Sequence, residues 1–214
     1  MKKVTDVKNL VFDFGGVIYQ IDHEKQIKSF YSLGLNNFEL FFSQSLQKPL
    51  FADFEKGQIS EDDFRHELNR ILGMNLPVEK IDEAWNSILV DYFHESVKLI
   101  ENLKNRYRLF LMSNTNSIHY RLYINQFSEK YEYGFNSLFE KTFWSFQIGR
   151  RKPDADVFKF VMEQGKMNPE ESIFIDDSIQ NTIASVDAGM PSLWLKPGKK
   201  MVELFDEQLN LIID

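Results

Sequence analysis

"LVFDFGGVIYQID", residues 10–22, is the stretch on which the reading of the chain turns. A short β-prone apolar run carries one carboxylate, Asp13, directly into Gly15-Gly16 and resumes as Val17-Ile18-Tyr19. Its shortness and its acidic end mark a buried parallel strand, not the core of a signal peptide, although Met1-Lys2-Lys3 stands ahead of it. Two more runs have the same character, "YRLFLMSNT" (107–115) and "ESIFIDDS" (171–178). A fourth, "MPSLWL" (190–195), follows Gly189 as a strand follows a helix C-cap. Helical text fills the intervals: "HESVKLIENLKNR" (94–106), "DADVFKFVMEQG" (154–165) and "SIQNTIASVDAG" (178–189). Strand and helix alternating with short connections predict an α/β fold built on a doubly wound parallel sheet. "KTFWSF" (141–146) reads as an edge strand beside it.

The alternation is interrupted once. From about His23 to Tyr92 there is no strand pattern, only amphipathic helical text: "EKQIKSFYSLG", "SEDDFRHELNRILG" with Ser60 as N-cap and Asp63 three residues on, and "VEKIDEAWNSIL" after Pro77. The expected division is therefore an α/β core from residues 1–20 and 93–214, with an inserted α-helical cap at 21–92. Clusters such as Phe38, Phe41 and Phe42, and Trp85 in "DEAWNSIL", read as packing residues of that insertion. His119 reads as a residue of an N-terminal helix turn.

Bulk properties bound the function. The 214 residues include 25 basic and 32 acidic side chains, a net charge of −7, which argues against nucleic acid or an anionic membrane as partner. No cysteine is present, so disulfides, thiolate metal sites and a cysteine nucleophile are excluded. No stretch reaches membrane-spanning length, and the expected location is the cytoplasm.

In an open parallel sheet, ligands bind beyond the carboxyl ends of the strands. Those ends carry Asp13, then Ser113-Asn114-Thr115, then Asp176-Asp177, while Lys152 precedes Pro153 in "GRRKPD". Carboxylates gathered at one sheet edge repel one another unless a cation lies among them, and hard oxygen ligands on short turns suit Mg²⁺. A carboxylate not consumed by the metal is able to attack phosphorus and form an aspartyl-phosphate. Lys152 then neutralises phosphoryl oxygens that Ser113 and nearby backbone N–H groups orient. Asp13 is the candidate nucleophile, and the glycines after it free the Gly15 carbonyl to turn toward the metal.

These residues resemble the haloacid dehalogenase superfamily, specifically its phosphatase-like members with a helical cap. "VFDFGGV", "FLMSNTN", "IGRRKPDADVF" and "IFIDDSIQN" match its four motifs in order. The resemblance implies a Rossmann-like core and a Mg²⁺-dependent phosphatase acting on a small phosphorylated metabolite, such as a hexose 1-phosphate. It implies Asp13 as nucleophile and metal ligand, Lys152 as charge stabiliser, and Ser113, Asn114 and Gly16 as the substrate-binding set. It further implies Asp177 as metal ligand, Asp176 ligating directly or from behind, and Gly15 ligating through its backbone. Most family phosphatases carry a second Asp two residues after the nucleophile as general acid and base. Here that position is Gly15, and Asp22, at the start of the insertion, is the candidate to carry the proton instead, beside its alternative role as a helix cap.

Two rival readings remain. A dehalogenase needs no proton for its leaving halide, which suits Gly15, but it gives no reason for three gathered acids. A silent binding or regulatory descendant of the same fold is the other.

Overall fold

The computed structural model describes residues 6–34 and 49–212. Five parallel strands form the central sheet: β1 (Asn9–Phe12), β4 (Arg108–Ser113), β5 (Lys141–Trp144), β6 (Ser172–Asp176) and β7 (Ser192–Trp194). Their order is β5-β4-β1-β6-β7, so the chain winds outward from β1 on one side and then returns to the other. The expected edge strand at 141–146 is β5, shortened to four residues.

Every residue of β1 is buried, as a strand covered on both faces requires. The period of two along the strands splits the core. Leu10, Phe12, Leu109, Leu111, Ile173 and Ile175 pack on one side of the sheet. Val11, Phe110, Met112 and Phe174 pack on the other, against Val157, Phe158 and Val161. These last three belong to helix α8 (Ala155–Gln164), which with α9 (Ile179–Asp187) follows the predicted helical text. Helices α5 (His94–Leu103) and α6 (Ser117–Lys130) provide the crossovers nearer β1 and β4.

The interval after β1 contains α1 (His23–Ser32), α2 (Pro49–Glu55), α3 (Glu61–Leu72) and α4 (Val78–Asn86). Ser60 caps α3 as its sequence predicts, its hydroxyl accepting the Asp63 N–H at 3.0 Å. These helices have an apolar cluster of their own, including Phe30, Phe51, Phe54, Phe64, Leu68, Ile81 and Trp85, with Ile118 of α6 against it. The Phe54 and Phe64 rings stack at 4.1 Å, and Trp85 stacks on Phe51 and on His119. Trp85 is thus a packing residue. The cluster at Phe38, Phe41 and Phe42 lies outside the described residues.

One expectation is corrected. The insertion was expected to be purely helical as far as Tyr92, but the helical text of "VEKIDEAWNSIL" stops at Asn86 and Leu89–Tyr92 forms strand β3. β3 pairs antiparallel with β2 (Tyr19–Ile21), giving a two-stranded ribbon between the sheet and the four helices. The physical reason is non-local: Tyr19 finds its partner Tyr92 far along the chain, and the two rings pack edge to face at 4.8 Å. No helix among the described residues is long and apolar enough to cross a membrane.

Candidate active site

The register of the sheet assembles the site. Phe12 pairs with Leu111 on one side and Ile175 on the other, so the next residue on each strand, Asp13 and Asp176, emerges level at the carboxyl edge. The Asp13 N–H still donates to the Ile175 carbonyl at 2.8 Å, which ties the acid to the end of β6. This is also where the winding direction of the sheet reverses, the place where open α/β sheets form their binding crevice.

Lys152 arrives from the loop between α7 (Ser145–Ile148) and α8. Its buried ammonium donates to Asp13 Oδ1 at 2.6 Å and to Asp176 Oδ2 at 2.7 Å. Asn114 fixes that loop from both sides: its amide donates to the Lys152 carbonyl at 2.8 Å, and its Oδ1 accepts the Lys152 N–H at 2.9 Å. Asn114 therefore acts on Lys152 and sets the height at which the ammonium stands. Ser145 does the same for the turn after β4, accepting from Thr115 N and donating to Thr115 O.

The three carboxylates differ in what they have left to give. Asp176, fully buried, also accepts from Ser178 N at 2.7 Å and from the Asn181 amide at 3.0 and 3.2 Å. Its hydrogen-bonding capacity is nearly filled, so it anchors its neighbours. Asp13 spends one oxygen on Lys152, and its Oδ2 accepts no hydrogen bond from the described residues. Asp177 lies toward solvent. Its carboxylate runs so close to Gly16 that a Cβ there would sit 2.1 Å from Asp177 Oδ2, and Gly16 has φ +72°. Gly16 is thus demanded by both backbone conformation and space. Gly15 is not: a Cβ on it would meet only Ile21, at 3.6 Å.

One oxygen each from Asp13, Asp176 and Asp177 lies within 4.8 Å of the others. Three acids share one ammonium, and the imbalance is visible in their titration. Burial and then the Asp176 charge push Asp13 up to about 7, against the pull of Lys152. Burial, again with Asp176, pushes Asp177 up to about 6. Lys152 stays protonated because the attraction of Asp13 and Asp176 outweighs its own burial. A divalent cation with a preference for hard oxygen supplies the missing positive charge, so the donor set fits Mg²⁺.

A stability prediction follows for the metal-free protein. A carboxyl whose folded value stands above its ordinary 3.8 binds its proton more tightly folded than unfolded. Between about pH 4 and pH 7 these two carboxyls hold extra protons in the folded state, and their joint contribution to stability falls as pH rises, opposed in part by the buried His119, whose folded value lies below its ordinary 6.5. Thermal unfolding in chelator should show Tm decreasing across this interval, and added Mg²⁺ should restore most at its upper end. A Tm in chelator that climbs over the same interval would contradict the shared-charge description.

The remaining candidates are placed as follows. Ser113 ends β4, buried, and its hydroxyl makes no hydrogen bond to the described residues. Asp22 is the N-cap of α1, with Oδ1 accepting the Lys25 N–H at 2.9 Å, and none of its described contacts reaches the acidic cluster. His119 occupies the first turn of α6, its ring held between the Trp85 carbonyl and Asn116. Burial lowers it to about 4, so it is neutral at physiological pH. Sequence reasoning missed the roles of Asn181 and Ser145. Asn181 had a usable signal, since it falls in the first turn of the helix that follows Asp176-Asp177.

The chain is similar to known proteins over most of its length. A D-ribitol-5-phosphate phosphatase from Bacteroides thetaiotaomicron is 31% identical over 180 residues, covering 82% of this chain and 85% of its own. A sesquiterpene phosphatase from Aspergillus oryzae is 27% identical over 199 residues, covering 89% and 91%. Among solved structures, a HAD family enzyme from Bacteroides thetaiotaomicron in complex with magnesium and inorganic phosphate superimposes with a TM-score of 0.86. It is 34% identical, and the match covers 94% of this chain and 100% of that one. The model of the haloacid dehalogenase-like hydrolases matches residues 10–195, from the strand that carries Asp13 to the last strand of the sheet, and the chain belongs to that family.

Proposed function

We propose that the chain is a Mg²⁺-dependent phosphatase that hydrolyses a small phosphorylated metabolite, a sugar phosphate in the finer reading, through an aspartyl-phosphate on Asp13. The observation that carries this is the division of labour on Asp13: one oxygen pinned to Lys152, the other unengaged, at a convergence of three carboxylates. Mg²⁺, held by Asp13, Asp177 and the Gly15 carbonyl with Asp176 beside them, supplies positive charge against the phosphoryl oxygens.

Asp13 Oδ2 attacks phosphorus while Lys152 keeps the other oxygen in place and screens the incoming negative charge. Ser113, with the backbone of Asn114 and Gly16, orients the phosphoryl group. The phosphorus–oxygen bond to the leaving group breaks, and the departing alkoxide takes a proton. Gly15 has none to offer, and we assign that task to Asp22, which uses Oδ1 to cap α1 and has Oδ2 unengaged among the described residues. Water then attacks phosphorus and gives a proton back to Asp22, the phosphorus–oxygen bond to Asp13 breaks, and inorganic phosphate leaves with Asp13 restored as a carboxylate. The helices of residues 21–92 act as the cap that closes over the site and excludes bulk water. A dehalogenase has no use for three converging acids, and the reading does not extend to it.

Hydrolysis of p-nitrophenyl phosphate tests this directly. Turnover should require Mg²⁺ and fall at least about 100-fold in chelator. Turnover indifferent to chelator, or halide release from 2-chloropropionate with no phosphatase activity, would contradict it.

A further inference from the structure

Of the three converging carboxylates, Asp177 is the one held through its backbone alone. Asp176 is filled by Lys152, Ser178 and Asn181, and Asp13 is tied to Lys152. The Asp177 carboxylate lies against Gly16 and accepts no hydrogen bond from any other described residue. Its direction is therefore set by the peptide that follows it. Both polar atoms of that peptide are engaged: the Ser178 N–H donates to Asp176 Oδ1 at 2.7 Å, and the Asp177 carbonyl accepts the indole N–H of Trp194 at 2.9 Å.

Trp194 belongs to β7, at one edge of the sheet. It stands beside Asp176 in the register, and the next N–H along, that of Leu195, donates to the Asp176 carbonyl at 2.9 Å. The carbonyls of Asp176 and Asp177 are thus held by neighbouring residues of one segment, the first by backbone and the second by a side chain. β6 ends at Asp176, so the Asp177 carbonyl has no strand partner and depends on the indole. An indole N–H only donates, so the pair satisfies both groups. A leucine or valine, usual in an apolar strand, offers no such donor.

Resting on the phosphatase reading and its Mg²⁺ site, we propose that Trp194 is a positioning residue that aims the Asp177 carboxylate at the cation it shares with Asp13. Carboxylate oxygens of Asp13 and Asp177 lie within 4.8 Å of each other, so a small turn of the peptide after Asp177 decides whether both reach one ion. The edge strand thereby tunes the affinity for Mg²⁺ without touching the reacting atoms. A partner that orients a metal ligand is typically worth about 10- to 100-fold in affinity. Trp194 is half-buried, so water competes for the carbonyl and the effect belongs at the low end of that range. The effect is also selective. Mg²⁺ demands near-ideal octahedral geometry, whereas Ca²⁺ accepts irregular ligand positions, so a misdirected Asp177 penalises Mg²⁺ more.

The test reads metal binding before activity. The full chain and Trp194→Phe, which keeps an aromatic ring and removes the N–H, are freed of metal and titrated by calorimetry with Mg²⁺ and, separately, Ca²⁺. The Mg²⁺ dissociation constant should rise about 10-fold in the variant, and that for Ca²⁺ by clearly less. In p-nitrophenyl phosphate hydrolysis the variant should need correspondingly more Mg²⁺, and excess Mg²⁺ should recover most of kcat. Tm in chelator reports any general loss of packing, which lowers stability without favouring one cation over the other. The native protein supplies a second reading that needs no variant: the NMR resonance of the Trp194 indole N–H should move as Mg²⁺ binds. A variant whose Mg²⁺ affinity stays within about twofold of native would overturn the assignment, as would an equal loss for both cations or an indole resonance indifferent to Mg²⁺. A native protein that binds no Mg²⁺ is a different result: it removes the metal site of the phosphatase reading, and the role of Trp194 with it.

Discussion

Lys152→Met is expected to reduce kcat/KM by at least about 1,000-fold and to destabilise the protein as well. Among the described residues the ammonium is the one positive side chain bonded to Asp13 and Asp176, and the lysine is 2% exposed. Methionine keeps much of the stem's volume and its contact with the Phe174 ring, over which the ammonium now stands at 5.2 Å. What is lost is charge. Asp13 and Asp176 would be left as adjacent buried acids without their shared partner, and breaking a buried ion pair in this way costs about 3–5 kcal/mol. The protein has one inexpensive escape, which is to protonate Asp13, and a protonated Asp13 no longer attacks phosphorus. Stability and activity therefore fall for the same reason. Denaturant unfolding in chelator reads the first effect and steady-state kinetics the second. A folded variant with near-native turnover would show that Lys152 does not hold the nucleophile.

Asp13→Asn should have the opposite signature on stability. The amide has the shape of the acid but is a poor nucleophile, and loss of a covalent nucleophile lowers turnover by at least about 10,000-fold. Yet the ionised form of Asp13 is disfavoured in the metal-free protein, being buried and facing Asp176. At neutral pH and in chelator, Asn removes that repulsion, so Tm should hold or rise as activity disappears. Mg²⁺ should then stabilise the variant less than it stabilises the native chain, because one ligand is gone. The pair of variants separates charge from chemistry: Lys152→Met lowers both stability and activity, Asp13→Asn only activity. A drop in chelator Tm for Asp13→Asn comparable to that for Lys152→Met would contradict the electrostatic account of the site.

Much of this architecture was legible because it rests on local rules. A central parallel strand is apolar throughout, so β1, β4 and β6 declare themselves, and their carboxyl-end residues are the ones that the sheet brings together. Asp13 and Asp176 could be placed at one edge from the strand ends alone, whereas Lys152, in a loop ahead of a helix, was joined to them through the resemblance of "IGRRKPDADVF" to a family motif. The features that escaped depend on contacts between distant segments. β3 is hidden because Leu89 and Val90 continue the apolar pattern of α4, and only pairing with Tyr19–Ile21 makes them a strand. The Asn114 clamp on Lys152 joins residues 38 apart, and nothing in "SNT" announces it. Glu55 sits at the end of an amphipathic helix, where an acid ordinarily faces water, and its meeting with Arg151 is a property of the assembled fold.

The central claim is that Asp13 carries the phosphoryl group in transit. Quenching the enzyme during turnover with Mg²⁺ and substrate, then reducing the denatured chain with borohydride, converts any acyl phosphate to homoserine, which mass spectrometry locates by residue. Homoserine at position 13, dependent on substrate and Mg²⁺ and absent from Asp13→Asn, is the predicted result. Turnover with Asp13 unmodified, or with the label at Asp176 or Asp177, would contradict it.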